Sequence, residues 1–424
     1  MPAREPPGAP SRGEPFRPER AEESPDCNAH PADEYWEQFE DADYEDRLRL
    51  FSKTLQSGAF EADAGNEYAY DMLASLSVQT AKHGQHERFD RMVRDLRDRA
   101  PAAYESDAPY YGWLLLEHAL ARKDHPRVME LARELGETTE QSAEVVFQIR
   151  DLLCFYGEMP ALLEMVRRAW RWIEDGHHDL MPHAVEEFKQ TATDLELLDW
   201  ADRHPDGGDQ SGLMDRLRGY AEILPERVRL HLEALSGHLD RVWTLDDFRG
   251  LSEDVKEGED DPAMNFRLFA FEFMGHARRR HGVAYPTLWC GYQQLLHYVH
   301  EQDEKRPARS ARCAGKKGRK GRRRGRDRQG RRPALVPDRA SLDSFVADLL
   351  QPFMTQIHAA TSVMLIVPYW LAFLEDRDLL APGRGNEIQE ELRPLLTELE
   401  DCLTRMISEP GLMERVRESW ERSP

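Results

Sequence analysis

Apolar residues along most of this chain recur at spacings of three and four, the period that lines one face of a helix. Leu48, Phe51 and Leu55 form one such stripe; Met72, Leu73, Leu76 and Ala81 form another. Strand-like alternation bounded by turn residues is essentially absent from residue 33 to residue 300, so the pattern predicts helix after helix. Breaks fall at Gly58, Gly84, Gly136, Gly157, Gly176, Pro205 to Gly208 and Gly258 to Pro262, where turn-forming residues interrupt the period. The helices between them are mostly about 10 to 18 residues long, the ordinary globular range. Tyr35, Trp36 and Phe39 are the first apolar anchors, which puts the start of order near Asp33.

Part of this pattern repeats. The segments Gly84–Arg94, Lys123–Arg133 and Gly157–Arg167 align without gaps, 39 and 34 residues apart. Each opens on a turn and a polar residue, continues as a helix with apolar residues at shared offsets, and ends on Arg. A weaker fourth copy is expected from Gly237 to Leu245. An apolar helix precedes each of the three turns: Tyr68 to Lys82, Tyr110 to Arg122, and Ala143 to Tyr156. A helix pair of this size cannot bury its apolar face alone, so neighbouring pairs must stack.

This unit resembles the tetratricopeptide repeat, whose period is about 34 residues, over roughly residues 66 to 175. Gly84 and Gly157 match the family's inter-helix turn, and Pro101 is placed to close a second helix. The small residues usual in that family are replaced by Leu116 and Arg150 in first helices and by Phe89, Val128 and Leu162 in second helices. The expected fold class is all-α: a right-handed α-solenoid-like stack of helical hairpins over residues 33–300, with a C-terminal helical segment over residues 339–424. That segment is expected to form either a small bundle of its own or the closing cap of the stack, its helices starting near Ser341 and running from Asn386 to about Ile407 and from Pro410 to Trp420.

Two stretches do not fit a helical stack. Residues 1–31 hold eight of the 26 prolines and almost no aromatic or β-branched residues, the composition of a disordered tail. Residues 303–338 form a low-complexity linker. From Lys305 to Arg332 it carries 15 Lys and Arg against one acid, Asp327, and its like charges repel. The chain as a whole has 57 Lys and Arg against 79 Asp and Glu, a net of −22, so everything outside that strip carries −36. A positive strip tethered to a negative body has two uses. It can bind a polyanion through residues such as Lys316, Lys317, Arg319, Lys320, Arg322, Arg323, Arg324 and Arg326, by counterion release, or it can fold onto the acidic body. No aromatic residue is interleaved in it, so base stacking and sequence-specific recognition are not expected.

Composition narrows the class further. Charged residues make up 32% of the chain and mean hydropathy is −0.71, which suits a surface-rich elongated stack. Cys27, Cys154, Cys290, Cys313 and Cys402 are odd in number and widely spaced, which indicates neither a disulfide framework nor a zinc knuckle. A reducing cytoplasm is the natural setting, and the N-terminus has no apolar core of a secretory signal. The longest apolar stretch, Ala359 to Leu374, has 16 residues and contains Pro368. A span needs about 20, so a buried core helix is expected there and no membrane partner.

The candidate chemistry is thin. Cys290, His297 and His300 share a helix face but lack a fourth zinc ligand, and packed or surface positions explain them. His177, His178 and His183 gather around a turn beside Asp175 and Asp179, as metal ligands or as solvated turn residues. Glu272 and His276 lie one turn apart, and Glu186 and Glu187 sit on another helix, without the Glu-x-x-His pairs of a di-metal bundle. Gly315, Gly318, Gly321 and Gly325 belong to the basic tract and follow no strand, so they are not a phosphate loop. No catalytic, cofactor or metal motif is expected. The function expected is a non-enzymatic protein–protein interaction scaffold. Its groove would take a protein or peptide, favoured to be basic by acids such as Glu253, Asp254, Glu259, Asp260 and Asp261. Tyr70, Trp113 and Phe147 are groove candidates or core residues. The alternative is an RNA- or ribosome-associated accessory protein tethered by residues 305–332.

Overall fold

The computed structural model describes residues 33–62, 68–138, 143–176, 180–248, 262–304, 335–351, 356–406 and 411–422. The chain is all-α, and no strand occurs among the described residues. The expected N-terminal tail and basic strip lie outside them, as do His177, His178 and Asp179 and the acids from Glu253 to Asp261.

The chain opens with α1 (Asp33–Glu40), α2 (Tyr44–Ser57) and the single turn α3 (Ala59–Ala62). Asp43 caps α2 by accepting from the Asp46 amide at 3.0 Å, and Gly58 ends it in the left-handed region at φ 78°. Then come α4 (Tyr68–Lys82) and α5 (His86–Arg99), the short α6 (Pro101–Ser106), α7 (Ala108–Ala121) and α8 (His125–Glu137), and α9 (Ala143–Tyr156) and α10 (Met159–Glu174). Pairs α4–α5, α7–α8 and α9–α10 are hairpins. First helices pack in a row, α4 on α7 and α7 on α9, and α8 packs closely on α10. Gly136 is the penultimate residue of α8, one position before the helix ends. A Cβ there would come within 2.8 Å of the Met165 carbonyl oxygen and 2.9 Å of the Arg168 Cβ, so its bareness lets the two helices approach.

The three aligned turns close in the same way. Gly84 (φ 65°), Lys123 (φ 57°) and Gly157 (φ 79°) are all left-handed. The Gly84 amide donates to Ala81 and the Gln85 amide to Thr80. Lys123 and Asp124 donate to Leu120 and Ala119, and Gly157 and Glu158 to Cys154 and Leu153. This paired bonding is the Schellman motif, which satisfies the orphan carbonyls of a helix end. Gly237 (φ 77°) and His238 bond back to Ala234 and Glu233 in the same pattern. No second helix follows there: the chain runs as a loop to a 3-10 turn at Leu245–Phe248. The fourth copy expected from Gly237 therefore stops at its turn, because the residues after it pack singly, with Trp243 and Phe248 buried and Val242 exposed.

Beyond the hairpins lie α11 (Pro182–Arg203), α12 (Ser211–Arg218), α13 (Pro225–Ser236), α14 (Pro262–His281) and α15 (Tyr285–Glu304). The C-terminal segment has α16 (Arg339–Leu349), α17 (Ile357–Asp376), α18 (Arg384–Met406) and α19 (Leu412–Arg422). Asp338 caps α16 by accepting from the Ser341 amide at 3.2 Å, so this helix starts earlier than Ser341.

An open solenoid touches only sequence neighbours, and this chain departs from that. Both α15 and α17 pack on α9, and α17 also packs on α14, α15, α18 and α19. Thr287 Oγ1 donates to the Cys154 and Phe155 carbonyls at 3.1 Å, and the Trp420 indole donates to the Met364 carbonyl at 2.9 Å. At Gly291, a Cβ would meet the Ser362 carbonyl at 2.7 Å, which marks the close approach of α15 and α17. The C-terminal helices are thus built into the stack. Helix α17 is long and apolar enough to cross a membrane by length and composition, and it lies buried inside the protein.

Lys123 holds a conformation that costs a non-glycine residue about 1–2 kcal/mol. Lys123→Gly should therefore raise unfolding stability by up to about 1 kcal/mol in urea titrations, net of glycine's larger unfolded-state entropy. Gly157→Ala should lose more than Gly84→Ala, since its Cβ would also sit 2.9 Å from the Ala284 Cβ whereas Gly84 has open space.

Candidate functional site

Tyr70, Trp113 and Phe147 fall on the successive first helices α4, α7 and α9, each half-buried against the core. The Tyr70 ring meets those of Tyr110 (5.5 Å) and Tyr111 (6.2 Å), and burial pushes its hydroxyl up to about 12. Phe147 packs edge-on to Phe188 at 5.9 Å and under the Arg150 guanidinium at 4.9 Å. The Trp113 indole nitrogen is buried without an acceptor among the described residues. No ring contact joins the three to one another among the described residues, so they mark a row of separate positions along the hairpins.

The other candidates separate. Cys290 is buried, its thiol pushed up by desolvation, while His297 is exposed on the same helix. Glu272 accepts from the Trp243 indole (2.7 Å) and from Arg377 Nε (2.7 Å), tying α14 to the end of α17. His276 pairs instead with Asp376 at 3.3 Å. Glu187 pairs with Arg150 and Glu186 with Lys189. His183 is exposed. No group of three or more His, Cys, Asp or Glu able to hold a metal occurs among the described residues. The lysines and arginines of the basic strip, from Lys316 to Arg326, lie outside those residues.

Sequence reasoning missed the buried acids of α11. Glu196 is fully buried and accepts from Arg167 Nε (2.7 Å) and Nη2 (2.9 Å) and from Arg216 Nε (2.7 Å). Asp194 accepts from Gln190 (2.8 Å), the Trp289 indole (3.2 Å) and Arg267; burial pushes it up and Arg267 opposes the rise. Their signal was present, since they interrupt an apolar run of Leu195, Leu197, Leu198 and Trp200. They hold α10, α11, α12, α14 and α15 together.

Sequence reasoning also missed a cavity of about 610 Å³ where the hairpin turns meet α19. The repeat builds it. His86 and His125 are the first residues of α5 and α8, at equal offsets from their left-handed turn residues. His86 Nδ1 lies 2.9 Å from His118 Nδ1, and His118 Nε2 lies 3.0 Å from Ser77 Oγ. Phe89 stacks on the His118 ring at 4.3 Å. Burial lowers His118 to about 3, helped by His86 and Arg122, and burial also lowers His86. A hydroxyl–imidazole pair thus borders the cavity, but an imidazole held so far below neutrality is a poor general base.

Glu117, the residue before His118, also lines this cavity. It is partly exposed, and burial alone raises its carboxyl to about 7. On the rim, His125 meets Glu158 at 3.0 Å, Arg415 lies over the Phe155 and Tyr156 rings, and Glu418 pairs with Arg422.

Compared with known proteins, the chain matches no family model, no curated protein and no solved structure. The reading of the site rests on its own geometry.

The two groups load stability with opposite signs. Glu117, raised from 4.5, contributes most below about pH 4.5 and loses that contribution as pH climbs through about 7. His118, lowered from 6.5, contributes fully above pH 6.5 and loses it as pH falls toward about 3. Urea unfolding should therefore find Glu117→Gln more stable than the parent at pH 8, on the order of 1 kcal/mol after allowing for solvent screening, and nearly equal at pH 5.

Proposed function

We propose that this chain is a non-enzymatic scaffold whose row of first helices, α4, α7 and α9, takes a protein or peptide partner. The observation carrying this reading is the run of three hairpins with one shared turn geometry, each first helix bearing a half-buried aromatic: Tyr70, Trp113 or Phe147. Stacked hairpins set side by side give an extended surface, and aromatic residues contribute much of the energy at protein interfaces. The −36 net charge outside the basic strip favours a basic partner. A cytoplasmic setting belongs to the same reading.

A photo-crosslinking amino acid at Tyr70 or Phe147 should capture a discrete partner from cell extract. The same group at Arg91, exposed on α5, should not. Equal labelling from all three positions would remove the first-helix face from consideration.

The charge of residues 305–332 favours a second reading, an RNA- or ribosome-associated accessory protein held electrostatically. It predicts RNA binding that weakens steeply between about 50 and 200 mM salt and disappears when 305–332 is deleted. Absence of RNA binding at low salt would end that reading and leave the first.

A further inference from the structure

Ionisable groups buried in this protein are, as a rule, paired. Glu196, Asp194 and Glu272 each accept from arginine. Glu117, partly exposed at the cavity, has no such partner. It makes no hydrogen bond or ion pair among the described residues, and burial is the sole cause of its shift, with no neighbouring cation offsetting it. An unpaired carboxylate that has lost part of its hydration is costly, so this partly exposed position is open to a cation from outside. The nearby imidazoles cannot serve. His118 is kept neutral between Ser77 and His86, and His86 is itself lowered.

A second carboxylate borders the same cavity without a partner. Glu414, exposed in the first turn of α19, makes no hydrogen bond or ion pair among the described residues, while Glu158 and Glu418 on that rim are engaged by His125 and Arg422. Of the cations lining the cavity, Arg415 rests on the Phe155 and Tyr156 rings, and Lys123 is exposed and pairs with neither free acid. The walls between are apolar and aromatic: Ala81, Leu120, Ala121, Val128 and Tyr156. Two free carboxylates around an apolar-walled space of about 610 Å³ describe a ligand with positive charge at its ends and a hydrocarbon middle.

We propose that the cavity between the hairpin turns and α19 binds a short aliphatic diamine, with one ammonium on Glu117 and the other on Glu414. Binding shifts Glu117 to its ionised form, because an opposite charge close by favours the charged carboxyl. Glu117 raises Tyr70 of α4 by its charge, and the titratable groups that line the cavity with it are His86 of α5, His118 of α7, Lys123 and Glu158 of the turns, His125 of α8, and Glu414, Arg415 and Glu418 of α19. Glu117, raised to about 7 by burial, exchanges a proton between pH 6 and pH 8.

Isothermal titration of the full chain with 1,4-diaminobutane tests this, with butylamine and 1,4-butanediol as matched probes. The diamine should bind at least tenfold more tightly than butylamine, and the diol should give no saturable heat. Affinity for the diamine should rise several-fold from pH 6 to pH 8. Glu117→Gln should weaken binding at least tenfold and flatten that pH dependence. Glu414→Gln, at an exposed position that does not threaten folding, should reduce the diamine to the affinity of butylamine. Unchanged binding in both variants, a diol as good as the diamine, or no saturable heat with millimolar diamine would each overturn the assignment.

Discussion

Helix α17 has no polar side to turn toward water. From His358 to Leu371, and again at Phe373 and Leu374, every residue is buried. A helix that is apolar all round has to be surrounded, and the architecture answers that constraint. The hairpin row supplies α9, the middle of the chain supplies α14 and α15, and the last helices α18 and α19 close over the remaining side. Helix α9 is similarly enclosed, with Val145, Val146, Ile149, Leu152, Leu153, Cys154 and Phe155 all buried. A row of hairpins that would otherwise extend in one direction is thereby folded back on itself.

Burying these helices brings charge inside with them, and the protein manages it by pairing. Glu196 sits between two arginines, Asp194 meets Arg267 and an indole, and Glu272 joins Trp243 to Arg377. Removing one partner of such a pair leaves an uncompensated charge, worth about 3–5 kcal/mol. The pairs join helices far apart in sequence. Glu117, partly exposed at the cavity, has no hydrogen bond or ion pair among the described residues.

The repeated turn organises the hairpin row. A left-handed residue at Gly84, Lys123 and Gly157 sets the same exit geometry three times, which places the first helices in a row on one side and gathers the turn residues at one end. The half-buried aromatics Tyr70, Trp113 and Phe147 follow from the row, and the cavity follows from the gathered turns once α19 covers them. That Lys123 adopts this conformation without glycine's freedom indicates that the stacking, and not the local residue, dictates the turn.

The sequence by itself determined the helical class, the extents of Tyr68–Lys82 and Ala143–Tyr156, the three aligned turns and the burial of the apolar stretch from Ala359 to Leu374. Each of these is written in local periodicity or in a turn residue, which act over a few positions. Gly136 stands at the end of α8 as its residue type suggests, but its second role, admitting α10, was not legible until that neighbour was in place. The fold-back of α15, α17 and α19 onto α9 was decided only in three dimensions, as were the arginine partners of α11 and the meeting of His86, His118 and Glu117 with α19. Those contacts join residues tens to hundreds of positions apart, and the preference that selects them is complementarity of packed surfaces and charges, which no stretch of sequence carries alone.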